Sequence, residues 1–349
     1  MAIIQFRTKI EVIIVLFLLL ILAIFSVASV NRTISNSGDT IETLIRNTKG
    51  NIWEPSGANL QAAIDDLSGQ GGTVWVGSSI TLSSEIKIEN SIDNIIIDFQ
   101  GNYATLTTST TSFLNLTNAS HVTVKNILIR PHKDSTVSII KLYVGPSGGS
   151  TSDNTFSYIH YRNQGGWVST VWGNRIWADH NFTLIEMRLK GHGEINQNTF
   201  TRISADGPGR GMFFNQLVNT GWINGTYVDD LWLNQYTECI RFHNYPGNNR
   251  SFNYNTFCNV KTQTSHFTKY GMTNISGYGN QFLYCLLWDW YACGSGYSNT
   301  GVKEYYITSD ADNTFMILHA WTGLPGTTYV TNNGKNTMVI TDGKVRVGG

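Results

Sequence analysis

Beyond residue 70 the apolar positions fall in short β-type runs, at residues 122–124, 127–129, 137–144, 227–233 and 305–308. A period of two puts alternate side chains on one face of a strand. No run there combines helix length with a helical period. Asn, Gly, Ser and Thr separate the runs, and these are the residues that form turns. The pattern predicts an all-β chain of many short strands.

One phrase recurs along it: Asn154-Thr155-Phe156, Asn198-Thr199-Phe200, Asn255-Thr256-Phe257, Asn280-Gln281-Phe282, Asn313-Thr314-Phe315 and Asn336-Thr337-Met338. The first two intervals are roughly twice the others, which implies a turn of chain without the phrase in each. Asn181-Phe182-Thr183 and Asn224-Gly225-Thr226 are the nearest substitutes. The mean is then about 26 residues per coil, enough for three short strands and three turns. Asn tolerates the left-handed bend and its amide bonds to backbone, so stacked coils would carry an asparagine ladder. The apolar residue two places on would enter the core.

Two helical segments precede the strands. Leu60, Ala63, Ile64 and Leu67 form one stripe over residues 58–67, ended by Gly69-Gln70-Gly71-Gly72. A short amphipathic helix there would cover the open apolar end of a solenoid. Residues 12–30 are uncharged and follow Arg7 and Lys9. As a helix they span about 28 Å, close to a bilayer's hydrocarbon core. The expected organisation is a signal anchor or signal peptide over 1–30, a linker over 31–56 and a β domain over 57–349. The anchor is favoured because the run is long for a cleaved signal, although Ser26-Val27-Ala28 offers a cleavage site. Either way the β domain lies outside the cytoplasm, single-pass at the cell membrane or secreted.

The segment NLQAAIDDLSGQGGTVWVGSSITLSSEIKIENSIDNIIIDFQG, with the Asn-x-Phe phrases after it, resembles the pectin-lyase-like superfamily of right-handed parallel β-helix proteins. The resemblance covers about residues 57–345 and implies a single-stranded solenoid of about ten coils behind a capping helix. It also implies polysaccharide-linked work: lyases, hydrolases, epimerases and esterases, and non-catalytic surface and viral spike proteins.

Composition narrows the partners. The chain has 349 residues, with 24 Lys+Arg against 24 Asp+Glu; charged residues are 14%, aromatic residues 12%, and there are 10 Trp. Zero net charge argues against nucleic-acid binding, and 41% hydrophobic residues exclude wholesale disorder. Cys239, Cys258, Cys285 and Cys293 share one stretch of an exported domain, where disulfides persist. Three pairings are possible; Cys239–Cys258 with Cys285–Cys293 is expected, since each closes a local loop. No CxxC occurs, so no structural zinc site is expected.

The densest polar constellation lies between Asn198 and Asn255: Asp206, Arg210, Asp229, Asp230, Glu238, Arg241 and His243. Glycan hydrolysis needs two carboxylates across a sugar bond. Elimination needs a base near the sugar C5 proton and positive charge against a uronate. Asp206 and Asp229 are 23 residues apart, which would place them one coil apart on one side. Trp167, Trp172 and Trp177, with Trp288 and Trp290, are candidates for stacking on sugar rings. Asp310 and Asp312 are the residues to which Ca²⁺ would come, although an Asp-x-Asp pair is no calcium motif by itself. Gly191-His192-Gly193 resembles an element of polygalacturonases, but the companion motifs stand in the wrong order. The expectation is an exported β-helix that binds or processes an extracellular or surface polysaccharide. If it is an enzyme, it is a polysaccharide lyase or glycoside hydrolase. The alternative is a non-catalytic structural surface protein, adhesin or viral spike component, with homo-oligomers through a strand face.

Overall fold

The computed structural model describes residues 57–92, 94–132, 134–162, 167–171, 174–177, 182–207, 209–236, 238–246, 251–264, 270–288, 305–321, 330–341 and 344–348. These residues form an all-β unit with one short helix, Gly57–Leu67. The anchor or signal segment 12–30, the linker 31–56, Trp172, Trp290 and Cys293 lie outside the described residues. Among the described residues no helix is long and apolar enough to cross a membrane.

Two long sheets of parallel strands carry the chain. In the first sheet Val122–Arg130, Thr155–Arg162, Thr199–Asp206 and Tyr227–Tyr236 lie side by side in sequence order. In the second, Ile140–Val144, Thr183–Leu189, Arg210–Gln216 and Glu238–His243 do the same. A shorter row, Gly149–Ser152, Gly193–Asn196 and Trp222–Asn224, follows. Each coil therefore returns to the same sheets one strand further on, as in a β-helix. The expected strands are present.

The period-two pattern sets the core. In Thr155–Arg162, Phe156, Ile159 and Tyr161 point inward and are closed to solvent. The same places in successive coils bring like residues together: Phe156 stacks on Phe200 at 4.9 Å, and Phe257 on Phe282 at 4.7 Å. Burying a Phe ring contributes roughly 2–3 kcal/mol.

The asparagine ladder is real, with a corrected register. Asn154, Asn198, Asn255 and Asn280 are completely buried. Asn154 Nδ2 donates to Asn198 Oδ1 at 3.0 Å, and Asn255 Nδ2 to Asn280 Oδ1 at 3.1 Å. Thr226, not Asn224, fills the place between Asn198 and Asn255, and its amide donates to Asn255 Oδ1. Phe282 pairs with Met316, so Thr314 and Thr337 hold the ladder position and Asn313 and Asn336 stand one residue before it. There, at φ of 49° and 48°, they make the left-handed bend. The interval from Asn154 to Asn198 is one coil, not two: the hairpin of Trp167–Val171 and Asn174–Trp177 enlarges it. Asn181-Phe182-Thr183 therefore does not mark a missing coil; Thr183 begins a strand of the second sheet.

The helix caps the first coil. Leu60, Ala63 and Ile64 are buried and Leu67 is half-buried against the core. The Gln61 side chain bonds to both the carbonyl and the amide of Lys87, each at 2.8 Å, closing part of the open edge of Ile86–Glu89.

The expected disulfides are not formed: Cys239, Cys258 and Cys285 are free thiols. Cys239 is in the core from the second sheet, whereas Cys258 is half-buried on the first sheet beside Asp229. A solenoid sends residues close in sequence to different sheets, so closing a short loop does not bring two cysteines together. Burial pushes the Cys239 thiol well up and the Cys285 thiol to about 12, which keeps both protonated.

Candidate functional site

The seven polar candidates divide between the two sheets. Asp206 ends a first-sheet strand opposite Asn234 and accepts from its amide at 2.8 Å. Asp229 pairs in register with Thr201, at the other end of those strands, so Asp206 and Asp229 are not brought together. The reason is coil length: Thr199 aligns with Tyr227, so the local repeat is longer than the interval from Asp206 to Asp229. Asp229 accepts from Asn259 Nδ2 at 2.8 Å, and half-buried Asp230 meets Lys261 at 3.1 Å.

Arg210, Glu238, Arg241 and His243 do assemble, on the outer face of the second sheet. Arg210 Nε donates to Glu238 Oε2 at 2.6 Å, and Arg241 Nη1 lies 3.3 Å from the same oxygen. The guanidinium groups lie 5.0 Å (Arg210) and 5.6 Å (Arg241) from the Phe213 ring centroid. The His243 ring is 6.3 Å from that of Phe213. Partial burial and the neighbouring Arg241 charge hold His243 below the usual histidine range, so it is neutral at pH 7.

The cluster continues into the preceding coils. Register runs Lys141, Glu186, Phe213, Arg241 in one column and Tyr143, Arg188, Asn215, His243 in the next. Glu186 is 1% exposed. It accepts from Ser138 Oγ at 2.5 Å, Tyr143 Oη at 2.8 Å, Arg188 Nε at 2.7 Å and Asn215 Nδ2 at 3.0 Å. Burial alone would raise its pKa; the hydrogen bonds from Ser138 and Asn215, the Arg188 charge and the Tyr143 bond outweigh it. The result lies below the 4.5 of an ordinary glutamate, so Glu186 is an anion. Lys190 and Arg188 both approach the Tyr143 ring, at 5.1 and 4.9 Å.

Two groups in this cluster have no partner. Arg241 Nε and Asn215 Oδ1 are buried atoms without a hydrogen bond, and Asn215 is only 6% exposed. The cluster's five cations, Lys141, Arg188, Lys190, Arg210 and Arg241, face three carboxylates, Glu85, Glu186 and Glu238. It is therefore a local basic patch on a chain of zero net charge.

Glu186, Arg188, Tyr143 and Asn215 were not candidates from sequence. Each looks like an ordinary outward strand residue, and they come from three coils. Aligning the coils in register would have found them.

The aromatic candidates separate too. Trp167 and Trp177 are register partners in the antiparallel hairpin. Trp288 aligns with Trp321 on the first sheet. Asp310 accepts from Asn244 at 2.8 Å and Asp312 from Asn336 at 3.2 Å. Among the described residues no group of three or more His, Cys, Asp or Glu gathers as a metal site. Gly191-His192-Gly193 is a close-packed turn: a Cβ at Gly193 would strike the Gly149 carbonyl, and one at Gly191 the Gly145 carbonyl.

No family model and no curated protein sequence matches the chain. Among solved structures it is similar to Geobacillus virus E2 ORF18, at 12% identity and a TM-score of 0.37, over 82% of this chain and 58% of that one. It is also similar to L. reuteri 53608 SRRP, at 12% identity and a TM-score of 0.35, over 82% of this chain and 98% of that one. The chain thus spans little more than half the length of the first.

Proposed function

We propose that this chain binds an acidic extracellular polysaccharide along the outer face of the second sheet. The observation that supports it is the cluster itself: cations from three successive coils gathered around Phe213. A carboxylate or sulfate bonds to the N–H groups that the partly exposed Arg188, Arg210 and Arg241 side chains turn to solvent. Strands stack about 4.8 Å apart, so a linear anionic polymer running across the coils meets one cation after another.

Binding fits better than hydrolysis. A glycosidase acid needs a raised carboxyl pKa. Glu186 is shifted the other way and saturated with donors, and Glu238 is held by two arginines. The finer fold assignment, a right-handed β-helix of the pectin-lyase-like type, belongs to the same proposal, as does export with residues 12–30 as membrane anchor.

Arg241→Gln is the cleanest probe, because Glu238 keeps Arg210. The full chain is expected to be retained on immobilised acidic polysaccharides such as polygalacturonate, alginate or heparin. Arg241→Gln should reduce retention at least tenfold at unchanged melting temperature. No retention on any acidic polysaccharide refutes the proposal.

A further inference from the structure

A second, chemically different groove lies on the first sheet. Its walls are Asp98, Gly101, Asn126, Leu128, Tyr158 and His160, and its volume is ≈ 620 Å³, within the roughly 300–1,000 Å³ of ligand pockets. It spans three coils, so it is about 10 Å long at the usual strand spacing.

The corner of the first-sheet strands explains its shape. At this corner six successive coils each hold one residue in the left-handed region: Asn126, Tyr158, Arg202, Asp230, Asn259 and Tyr284, with φ between 52° and 58°. Asn is at home there; a Tyr is not, because its Cβ crowds the backbone. Tyr158 is nevertheless kept, and it is 51% exposed, so no packing in the core accounts for it. Arg202 and Tyr284 take the same left-handed position in other coils, and Tyr284 is 59% exposed, so the bend belongs to the corner; what sets Tyr158 apart is the groove beside it.

The neighbours fix the ring. The Arg202 guanidinium lies 4.8 Å from the Tyr158 centroid and donates to the Tyr158 hydroxyl. Arg202 belongs to the following coil, His160 to the same coil as Tyr158, and Asp98, Gly101, Asn126 and Leu128 to the two preceding ones. One side of Tyr158 is thus occupied by Arg202 and the other borders the groove. Around the groove are short polar groups. Asn126 donates to Asp98 at 2.9 Å, and Asp98 also meets Lys125 at 3.3 Å. His160 Nδ1 is 2.6 Å from Ser204 Oγ, which fixes that ring as well.

An oriented aromatic face beside amide, carboxylate and imidazole groups matches a sugar ring, which offers an apolar C–H face and hydroxyls at its edge. The Asp98 carboxylate disfavours an acidic sugar here. We propose that this groove is a binding subsite for an uncharged glycosyl unit that stacks on Tyr158. It is on a different sheet from the basic cluster and does not depend on it.

The test is saturation-transfer NMR on the full chain in a zwitterionic detergent, with uncharged hexasaccharides of glucose, mannose, galactose and xylose. At least one is expected to receive saturation, strongest at its ring C–H protons. Tyr158→Phe should bind within about twofold of the parent. Tyr158→Asn relieves the backbone, so it should melt at the same or a higher temperature yet lose affinity at least tenfold. Arg241→Gln should leave this binding unchanged, which separates the groove from the acidic-polysaccharide site. No transfer to any of the four sugars, or unchanged affinity in Tyr158→Asn, overturns the proposal.

Discussion

Glu186 shows how much a single residue depends on coils distant in sequence. Ser138, Tyr143, Arg188 and Asn215 all donate to it. Its pKa is lowered on folding, so it stabilises the fold above the ordinary carboxylate range. That stabilisation is lost as pH falls through the folded-state value. Glu186→Gln keeps the shape but sets an amide N–H against donors and leaves Arg188 uncompensated. The expected loss is about 3 kcal/mol at pH 7, read by urea denaturation, and the gap from the parent should narrow below about pH 4. Equal stability at pH 7 would contradict this account of Glu186. His243 gives the opposite pH signal on binding. It is neutral at pH 7 and becomes a cation as pH falls through its lowered pKa. An acidic polysaccharide should therefore bind more tightly as pH falls below the ordinary histidine range, and His243→Ala should flatten that dependence. Of this cluster, Arg210, Glu238, Arg241 and His243 were legible because they crowd one stretch of sequence. Glu186 was not, because its partners are spread over Ser138 to Asn215 and only register assembles them.

At the scale of elements, the ladder carries the stacking. Asn255 accepts from the Thr226 amide and donates to the Ile223 carbonyl at 3.1 Å, both out of reach of water. Asn255→Ala strands these backbone groups and is expected to cost about 3 kcal/mol. Asn255→Thr should cost less, since Thr226 and Thr337 already hold the same position in other coils. Chemical denaturation of the two variants checks the order; Ala at least as stable as Thr would contradict the ladder's role. The Asn-x-Phe phrase revealed the ladder at Asn154, Asn198, Asn255 and Asn280. It misplaced Asn313 and Asn336 by one residue, because Asn suits both the buried ladder and the left-handed bend before it. Sequence spacing also misread the coil enlarged by the Trp167–Val171 hairpin, since an insertion and a missing repeat lengthen an interval alike.

For the whole molecule, low overall charge hides local order. Asn, Thr, Ser and Gly take many of the bends and outer strand positions, and both sheets carry charged residues; on the second sheet Glu186, Arg188, Arg210, Glu238 and Arg241 gather into one cluster. The capping helix was legible from its stripe, and Leu60 and Ile64 are buried as that stripe requires. The disulfides were not, because sequence proximity carries no distance information once each coil visits several sheets. Titration calorimetry of the full chain with polygalacturonate, alginate and heparin, at low and at 0.5 M salt, tests the central claim most directly. The account predicts binding to at least one polymer, weakened at least tenfold by the salt, as expected of partly exposed cations, and by Arg241→Gln. Equal affinity of Arg241→Gln and the parent, or binding insensitive to salt, would contradict it.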